Sequence, residues 1–174
     1  DSITQTAGTQ TNTSTAAGNT VADGTKSTET TAAGQVIKDG AKTNTSTVDE
    51  NTLVDGAKSN KTTVDSNVID DGNGNVNTSN ATSNTIANGT DFTATTAAGT
   101  IVTNANGNTK YAADGVRINT TGKNPVSLTD AGLDNGNNVI KNVASGHVNN
   151  DDTDNTNAAN IADVKKATTT VTAN

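Results

Sequence analysis

The chain carries a sixteen-residue repeat in which an aliphatic residue precedes a turn dipeptide of Asp-Gly or Asn-Gly. The turn glycines are Gly24, Gly40, Gly56, Gly72 and Gly89, the last of which comes one residue late. The aliphatic residues in phase with them are Val21, Ile37, Leu53, Ile69, Ile86, Val102 and Ile118. A repeat of this kind predicts a quasi-one-dimensional structure in which each unit packs on its neighbours. It favours a rod or spacer over an enzyme with a pocket.

Each repeat contains two turn signals separated by short segments rich in Thr, Val and Ile. One signal is the Asp-Gly or Asn-Gly pair, which favours a hairpin because both of its central residues tolerate positive φ. The other is a four-residue element such as AAGN, AAGQ, VDEN or VDSN. β-Branched residues suit strands, and no helical apolar period is visible. We therefore expect two short strands and two turns per repeat, in an all-β head that is either a β-prism or a β-roll.

The apolar content is too low for an ordinary single-chain core. Val, Ile, Leu and Phe make up about 16 % of the chain, below the roughly 20 % at which disorder becomes a serious alternative. The only large aromatic residues are Phe92 and Tyr111. Two interpretations follow, a disordered chain or an oligomer whose copies share a core. The regular phase of the aliphatic residues favours the oligomer.

Composition also argues against several classes of protein. The absence of cysteine excludes disulfides and thiolate metal sites. A net charge of -7 gives no basic footprint for nucleic acid. Because no apolar run approaches the length of a membrane span, we expect no membrane contact by this segment. Any export signal or membrane anchor is expected to lie outside it.

The pattern changes after Gly122, and this change sets the predicted domain boundaries. We predict a repeat head over 1–122, a connector or neck over 123–157 and the start of a coiled-coil stalk over 158–174. The connector contains the chain's only proline, Pro125, and clustered aliphatic residues that include Val139, Ile140 and Val143. The last segment has the three- and four-residue spacing of coiled-coil core positions at Ile161, Val164, Thr168 and Val171.

The C-terminal segments LTDAGLDNGNNVIKNVASG (128–146) and NTNAANIADVKKA (155–167) resemble the neck of trimeric autotransporter adhesins. Asp163-Val164-Lys165 stands where that family has Gln-Leu-Lys, so this is a divergent copy. The resemblance implies an intertwined parallel homotrimer. Its implied core contains three neck residues and four stalk residues, which are Val139, Ile140, Val143, Ile161, Val164, Thr168 and Val171. It also implies an adhesin displayed on a Gram-negative outer membrane, which attaches to host or abiotic surfaces and to itself. Host extracellular-matrix or cell-surface ligands are its expected partners.

Few residues suggest chemistry. His147 is the only histidine, and no catalytic or zinc motif surrounds it. The loop 71–75 has clustered oxygen ligands but lacks the spacing of a calcium loop. Asn160 and Thr168 are hypothetical positions for an anion or water on a trimer axis. We expect no enzyme, cofactor or metal. The alternative function is a structural segment of a phage or other trimeric surface fibre, and a β-helical polysaccharide lyase is a more distant third.

Overall fold

The computed structural model describes residues 1–146 and 157–172, and the chain divides into the compact units Asp1–Leu133 and Asp134–Asn174. Strands dominate the described residues, and one helix follows them. The strands are β1 (Ser2–Ala7), β2 (Gln10–Thr15), β3 (Gly18–Asp23), β4 (Lys26–Thr31), β5 (Gly34–Asp39), β6 (Lys42–Thr47), β7 (Glu50–Asp55), β8 (Lys58–Thr63), β9 (Ser66–Asp70), β10 (Asn75–Asn80), β11 (Ser83–Asn88), β12 (Asp91–Thr96), β13 (Gly99–Asn104), β14 (Gly107–Ala112), β15 (Gly115–Thr120), β16 (Val126–Thr129) and β17 (Gly132–Asp134). The helix is α1 (Ile161–Thr172).

The strands form one open antiparallel sheet of 17 strands. Each strand from β1 to β15 pairs with the strand that follows it in the chain. Connections of two residues suffice for most pairs, as expected for antiparallel hairpins. The predicted all-β class with two strands per repeat is therefore confirmed. Two strands, β16 and β17, follow residue 122 in the same sheet.

The turns at the Asp-Gly pairs differ from the prediction in their central residues. Asp23 is the last residue of β3 and pairs with Lys26 across the hairpin, so the loop consists of Gly24 and Thr25. Gly24 has a φ of 58°, whereas Thr25 is not among the described residues with positive φ. This is the pattern of a type II′ turn, which needs glycine only at its first central position. The prediction that Asp and Gly are both central was wrong.

In five of the repeats, the other turn is closed by a threonine hydroxyl. Thr15 Oγ1 accepts hydrogen bonds from the N–H groups of Ala17 and Gly18, at 3.1 and 3.2 Å, and donates to the Gly18 carbonyl oxygen at 3.2 Å. Equivalent turns are closed by Thr31, Thr47, Thr63 and Thr96. These hydroxyls form hydrogen bonds with backbone groups of the turn that have no partner in a neighbouring strand. Threonine therefore fixes where the preceding strand ends.

The sheet has no hydrophobic core of its own. Among the described residues, no hydrophobic side chain is buried, and the only buried polar residue is Asp163 in the second unit. The sheet is a single layer, and the same-chain neighbours of each side chain lie beside it rather than above it. Burial of its apolar residues therefore requires another layer of structure.

In the second unit, a reciprocal cap begins the helix. Asn160 Oδ1 accepts a hydrogen bond from the Asp163 N–H at 3.0 Å, and Asp163 Oδ2 accepts one from the Asn160 N–H at 2.9 Å. This is the geometry of a capping box. Asp163 also accepts hydrogen bonds from the Ser145 hydroxyl and the Gly146 N–H, at 2.5 and 2.8 Å. The buried carboxylate thus ties the connector to the first turn of the helix, which begins at Ile161.

Candidate assembly surface on one sheet face

The predicted aliphatic residues form a single straight row across one face of the sheet. Ile37 pairs with Asn44, Asn44 with Leu53, Leu53 with Asn60, and Asn60 with Ile69. Residues directly opposite each other in an antiparallel ladder point to the same face. We call this set the aliphatic row: Val21, Ile37, Leu53, Ile69, Ile86, Val102 and Ile118. Between its members lie Thr28, Asn44, Asn60, Asn77, Thr93 and Thr109.

Every member of the aliphatic row keeps about half of its surface in solvent. The exposed fractions run from 42 % at Val102 to 57 % at Ile86. The turn residues Val48 and Val64 are more exposed, at 91 % and 94 %, but they lie at strand ends outside the row. The aliphatic residues recur on every second strand with one Thr or Asn between them, and such a regular exposed row differs from scattered exposed residues, which are ordinary.

A charged row runs beside the aliphatic row on the same face. It lies two residues further toward the Gly-turn end of each strand, where the register pairs Asp and Lys in strict alternation. Its members are Asp23, Lys26, Asp39, Lys42, Asp55 and Lys58. Lys26 Nζ lies 3.8 Å from Asp39 Oδ2, and Lys42 Nζ lies 3.4 Å from Asp55 Oδ2. Exposed pairs of this kind add little stability each, so their main effect is on register.

An amide–hydroxyl row flanks the aliphatic row on its other side, toward the Thr-closed turns. Its members are Asn19, Thr30, Gln35, Ser46, Asn51 and Thr62. Neighbouring side chains in this region bond to each other. Asn19 Nδ2 donates to Asn12 Oδ1 at 2.9 Å, and Gln35 Nε2 donates to Thr30 Oγ1 at 3.3 Å. The face thus has three parallel rows, one amide and hydroxyl, one aliphatic and one charged.

A shallow groove of about 600 Å³ lies over the centre of this face. Its floor includes Ile37, Leu53 and Ile69, and Lys42 and Lys58 of the charged row border it. The Oδ1 atom of Asn44, in the same groove, is buried without a hydrogen-bond partner among the described residues. A concave apolar floor with an unsatisfied amide oxygen favours a covering layer that brings a hydrogen-bond donor.

Polar and charged residues interrupt the opposite face of the sheet. Lys61 lies between Thr52 and Val68 in its central ladder, and it forms an ion pair with Glu50. The hydrogen bond from Lys61 lowers the pKa of the Glu50 carboxyl, and the Thr52 hydroxyl acts in the same direction. The face with the aliphatic row is therefore the better candidate for assembly.

The predicted stalk and neck residues are also largely exposed within the second unit. Ile161, Val164, Thr168 and Val171 are exposed, as are Val139 and Ile140, whereas Val143 is half-buried. Ile140, Val143 and Ile161 line one groove of this unit.

The Asn160 side chain bonds within its own unit, because its Oδ1 caps the helix and its Nδ2 donates to the Val143 carbonyl oxygen at 3.2 Å. The hydroxyl of Thr168 donates back to the Val164 carbonyl oxygen at 2.9 Å.

The loop 71–74 joins β9 to β10 with four residues and accounts for the late position of Gly89. Asp71 Oδ1 accepts hydrogen bonds from the N–H groups of Asn73 and Asn75, at 2.8 and 3.1 Å, and Oδ2 accepts one from Asn75 Nδ2 at 2.6 Å. The Asn75 side chain contributes most to a lowered pKa of Asp71. Both carboxylate oxygens therefore accept hydrogen bonds that close the loop.

In residues 1–146 and 157–172, no group of three His, Cys, Asp or Glu side chains is placed to hold a metal ion. Within the same described ranges, the helix is not long and apolar enough to cross a bilayer. His147 lies outside the described residues.

Comparison with protein-family models, curated proteins and solved structures gives no match. We therefore infer the function from the geometry of the sheet and the helix.

Proposed function

We propose that this chain is a segment of a homotrimeric bacterial surface adhesin, which attaches cells to host or abiotic surfaces and to each other. Residues 1–122 form the projecting head, residues 123–157 the neck and residues 158–174 the start of the stalk. A membrane anchor outside this segment holds the assembly on the outer membrane. Binding is multivalent, because three chains with many similar units turn weak contacts into avidity.

The observation that carries this proposal is the aliphatic row. Seven branched aliphatic side chains lie in line on one face, and each is about half exposed in the single chain. Burying apolar surface is the main source of folding stability, and this sheet has no second layer of its own. Copies of the same chain supply that layer most simply, since each brings an identical row at the same spacing.

The length of the strands favours a triangular prism. Most strands have six residues, which corresponds to about 20 Å. In an equilateral prism with faces of that width, the axis lies about 6 Å from each sheet. This is close to half of the ~10 Å spacing of packed sheets. The central position of each strand, where the aliphatic row lies, then comes nearest to the axis.

The helix supports the same assembly. Its predicted core positions are exposed in the single chain, and the capping box fixes where it starts. Three parallel helices with Ile161, Val164 and Val171 facing inward form a short coiled coil. Asp163 holds the connector against each helix end, so head and stalk assemble in a defined order along the chain.

Surface attachment tests the proposal. Polystyrene beads coated with the chain are expected to clump with each other and to bind to bare plastic or fibronectin-coated wells. Leu53→Asp, which places a charge in the aliphatic row, should abolish this, whereas Val48→Asp at a turn tip should not. Beads that neither clump nor attach, while the protein remains a trimer, would contradict the adhesin function and favour a structural fibre.

A further inference from the structure

The face opposite the aliphatic row carries one pair of like charges. Lys110 on β14 lies directly opposite Arg117 on β15, and both side chains are exposed. In the described ladders from β1 to β16, no other two like charges lie directly opposite each other. Like charges in such a pair have Cβ atoms about 5 Å apart and destabilise the sheet. An anion bound between them removes this repulsion.

No acidic side chain neutralises this pair. Neither Lys110 nor Arg117 forms an ion pair among the residues that the structure describes. Lys61 provides the contrast, because it lies in the same row of this face and pairs with Glu50. Asp114 lies in the turn between β14 and β15 but pairs with neither cation. The two positive charges therefore remain for an external partner.

Two asparagine amides position the Arg117 guanidinium. Arg117 Nε donates to Asn119 Oδ1 at 3.2 Å, and Asn119 Nδ2 donates to Asn108 Oδ1 at 2.8 Å. Asn108 and Asn119 lie directly opposite each other and are half-buried. A guanidinium has five N–H donors, so its Nη groups remain for an anion. Fixing a side chain before binding lowers the entropy lost when the ligand orders it.

An apolar groove of about 170 Å³ adjoins Lys110 on the side away from Arg117. Ala94, Ile101, Lys110 and Arg117 follow one another across β12 to β15, and the first two line the groove together with Lys110. Neighbouring strands are about 4.8 Å apart, so the distance from Ile101 to Arg117 is about 10 Å. This length accommodates a sugar ring together with an acidic substituent.

We propose that this site binds an anionic glycan, with a carboxylate or sulfate group between Lys110 and Arg117 and the less polar face of the sugar on Ala94 and Ile101. A guanidinium donates two parallel hydrogen bonds to such an oxyanion. This names a ligand class for the proposed adhesin. It rests on that function, because assembly through the aliphatic row leaves the opposite face in solvent.

An acidic peptide fits this site less well. Extended peptides bind to sheets by adding a strand at a free edge, where main-chain hydrogen bonds supply the affinity. The strands β13, β14 and β15 are interior strands, each paired on both sides. The site therefore offers side chains but no free strand edge, and a glycan needs only side chains.

Titration of fluorescently labelled oligosaccharides tests the site. The probes are a short heparin oligosaccharide, which has sulfates and carboxylates, and a short hyaluronan oligosaccharide, which has carboxylates only. The natural chain should bind at least one of them, and Lys110→Gln and Arg117→Gln should each weaken that binding about tenfold or more, because charge-assisted hydrogen bonds are lost. Arg117→Lys should also weaken it, since a lysine cannot bind in a bidentate manner. Binding of heparin alone assigns the sulfate, and binding of hyaluronan assigns the carboxylate.

The matched control is Lys61→Gln, which removes one positive charge from the same row and should leave binding unchanged. Binding of neither probe, or an equal loss from Lys61→Gln, would overturn the inference. Equally tight binding of poly-glutamate or DNA would also overturn it, because charge alone would then account for the affinity.

The site and the proposed function can fail separately. A trimer that makes beads clump but binds neither oligosaccharide would contradict the site alone. A chain that binds an oligosaccharide through Arg117, but neither forms trimers nor makes beads clump, would contradict the proposed function alone.

Discussion

Shortening one side chain of the aliphatic row should weaken assembly. The exposed fraction of that side chain in the single chain gives the size of the loss. Leu53 is 50 % exposed in the single chain, and full burial of a leucine side chain contributes about 1.5–3 kcal/mol. About half of that, or roughly 1 kcal/mol, is left for burial against other copies. Leu53→Ala removes it three times in a trimer, so the assembly loses about 3 kcal/mol. This corresponds to a decrease of about 100-fold in the association constant.

Thermal unfolding over a range of protein concentrations measures this effect. The midpoint of a trimer that unfolds as it dissociates rises with concentration, because mass action favours the associated state. Leu53→Ala should shift the whole series to lower temperature. Val54→Ala, on the same strand but the opposite face, should lose only packing within the chain, and Val48→Ala at the exposed turn should lose almost nothing. Equal shifts for Leu53→Ala and Val54→Ala would refute the argument that the aliphatic row is the buried surface.

Three further predictions concern the turns, one loop and the helix. Thr47→Val removes the hydroxyl that accepts from the Asp49 and Glu50 N–H groups and should cost about 1 kcal/mol in urea unfolding; no change would contradict turn closure by threonine. Folding lowers the pKa of the Asp71 carboxyl, so the ionised carboxylate stabilises the folded chain. This stabilisation is complete above the pKa of Asp71 in the unfolded chain and is lost as pH falls through its lower pKa in the folded chain. Asp71→Asn should therefore reduce the acid-side slope of stability, and an unchanged slope would contradict this. Asn160→Ala removes the cap and should cost about 1 kcal/mol, measured as lost helical circular dichroism; an unchanged spectrum would show that the cap is dispensable.

The strands and their shared face could be predicted from the sequence because their signals are local. β-Branched residues alternate with polar ones, and turn glycines recur at a fixed interval, so strand count per repeat and the phase of the aliphatic residues follow directly. Register then places all seven residues in one row. The central residues of the turns differ from the prediction because Asp23 extends its strand and pairs with Lys26, which leaves Gly24 and Thr25 as the loop. Lys26, two residues after Gly24, was the available signal, since it pairs with Asp23.

Other features had recognisable signals that the repeat obscured. Thr15 and Thr31 occupy one phase of the repeat, and each closes its turn through its hydroxyl. Asn160-x-x-Asp163 has the spacing of a capping box, a local signal for the start of a helix that is separate from the coiled-coil spacing. The charged row and the amide–hydroxyl row become visible only with register, because their members are separated in sequence and brought together by pairing. What covers the aliphatic row depends on other copies, so no local signal in one chain specifies it.

Sedimentation equilibrium shows whether copies of the chain bury the aliphatic row together. We expect one species of about 52 kDa, three times the chain mass of 17.4 kDa. We also expect a β-rich circular dichroism spectrum for the same sample. A 17.4 kDa species with that β-rich spectrum would contradict assembly through this face, because the sheet would then be stable with its aliphatic row in water.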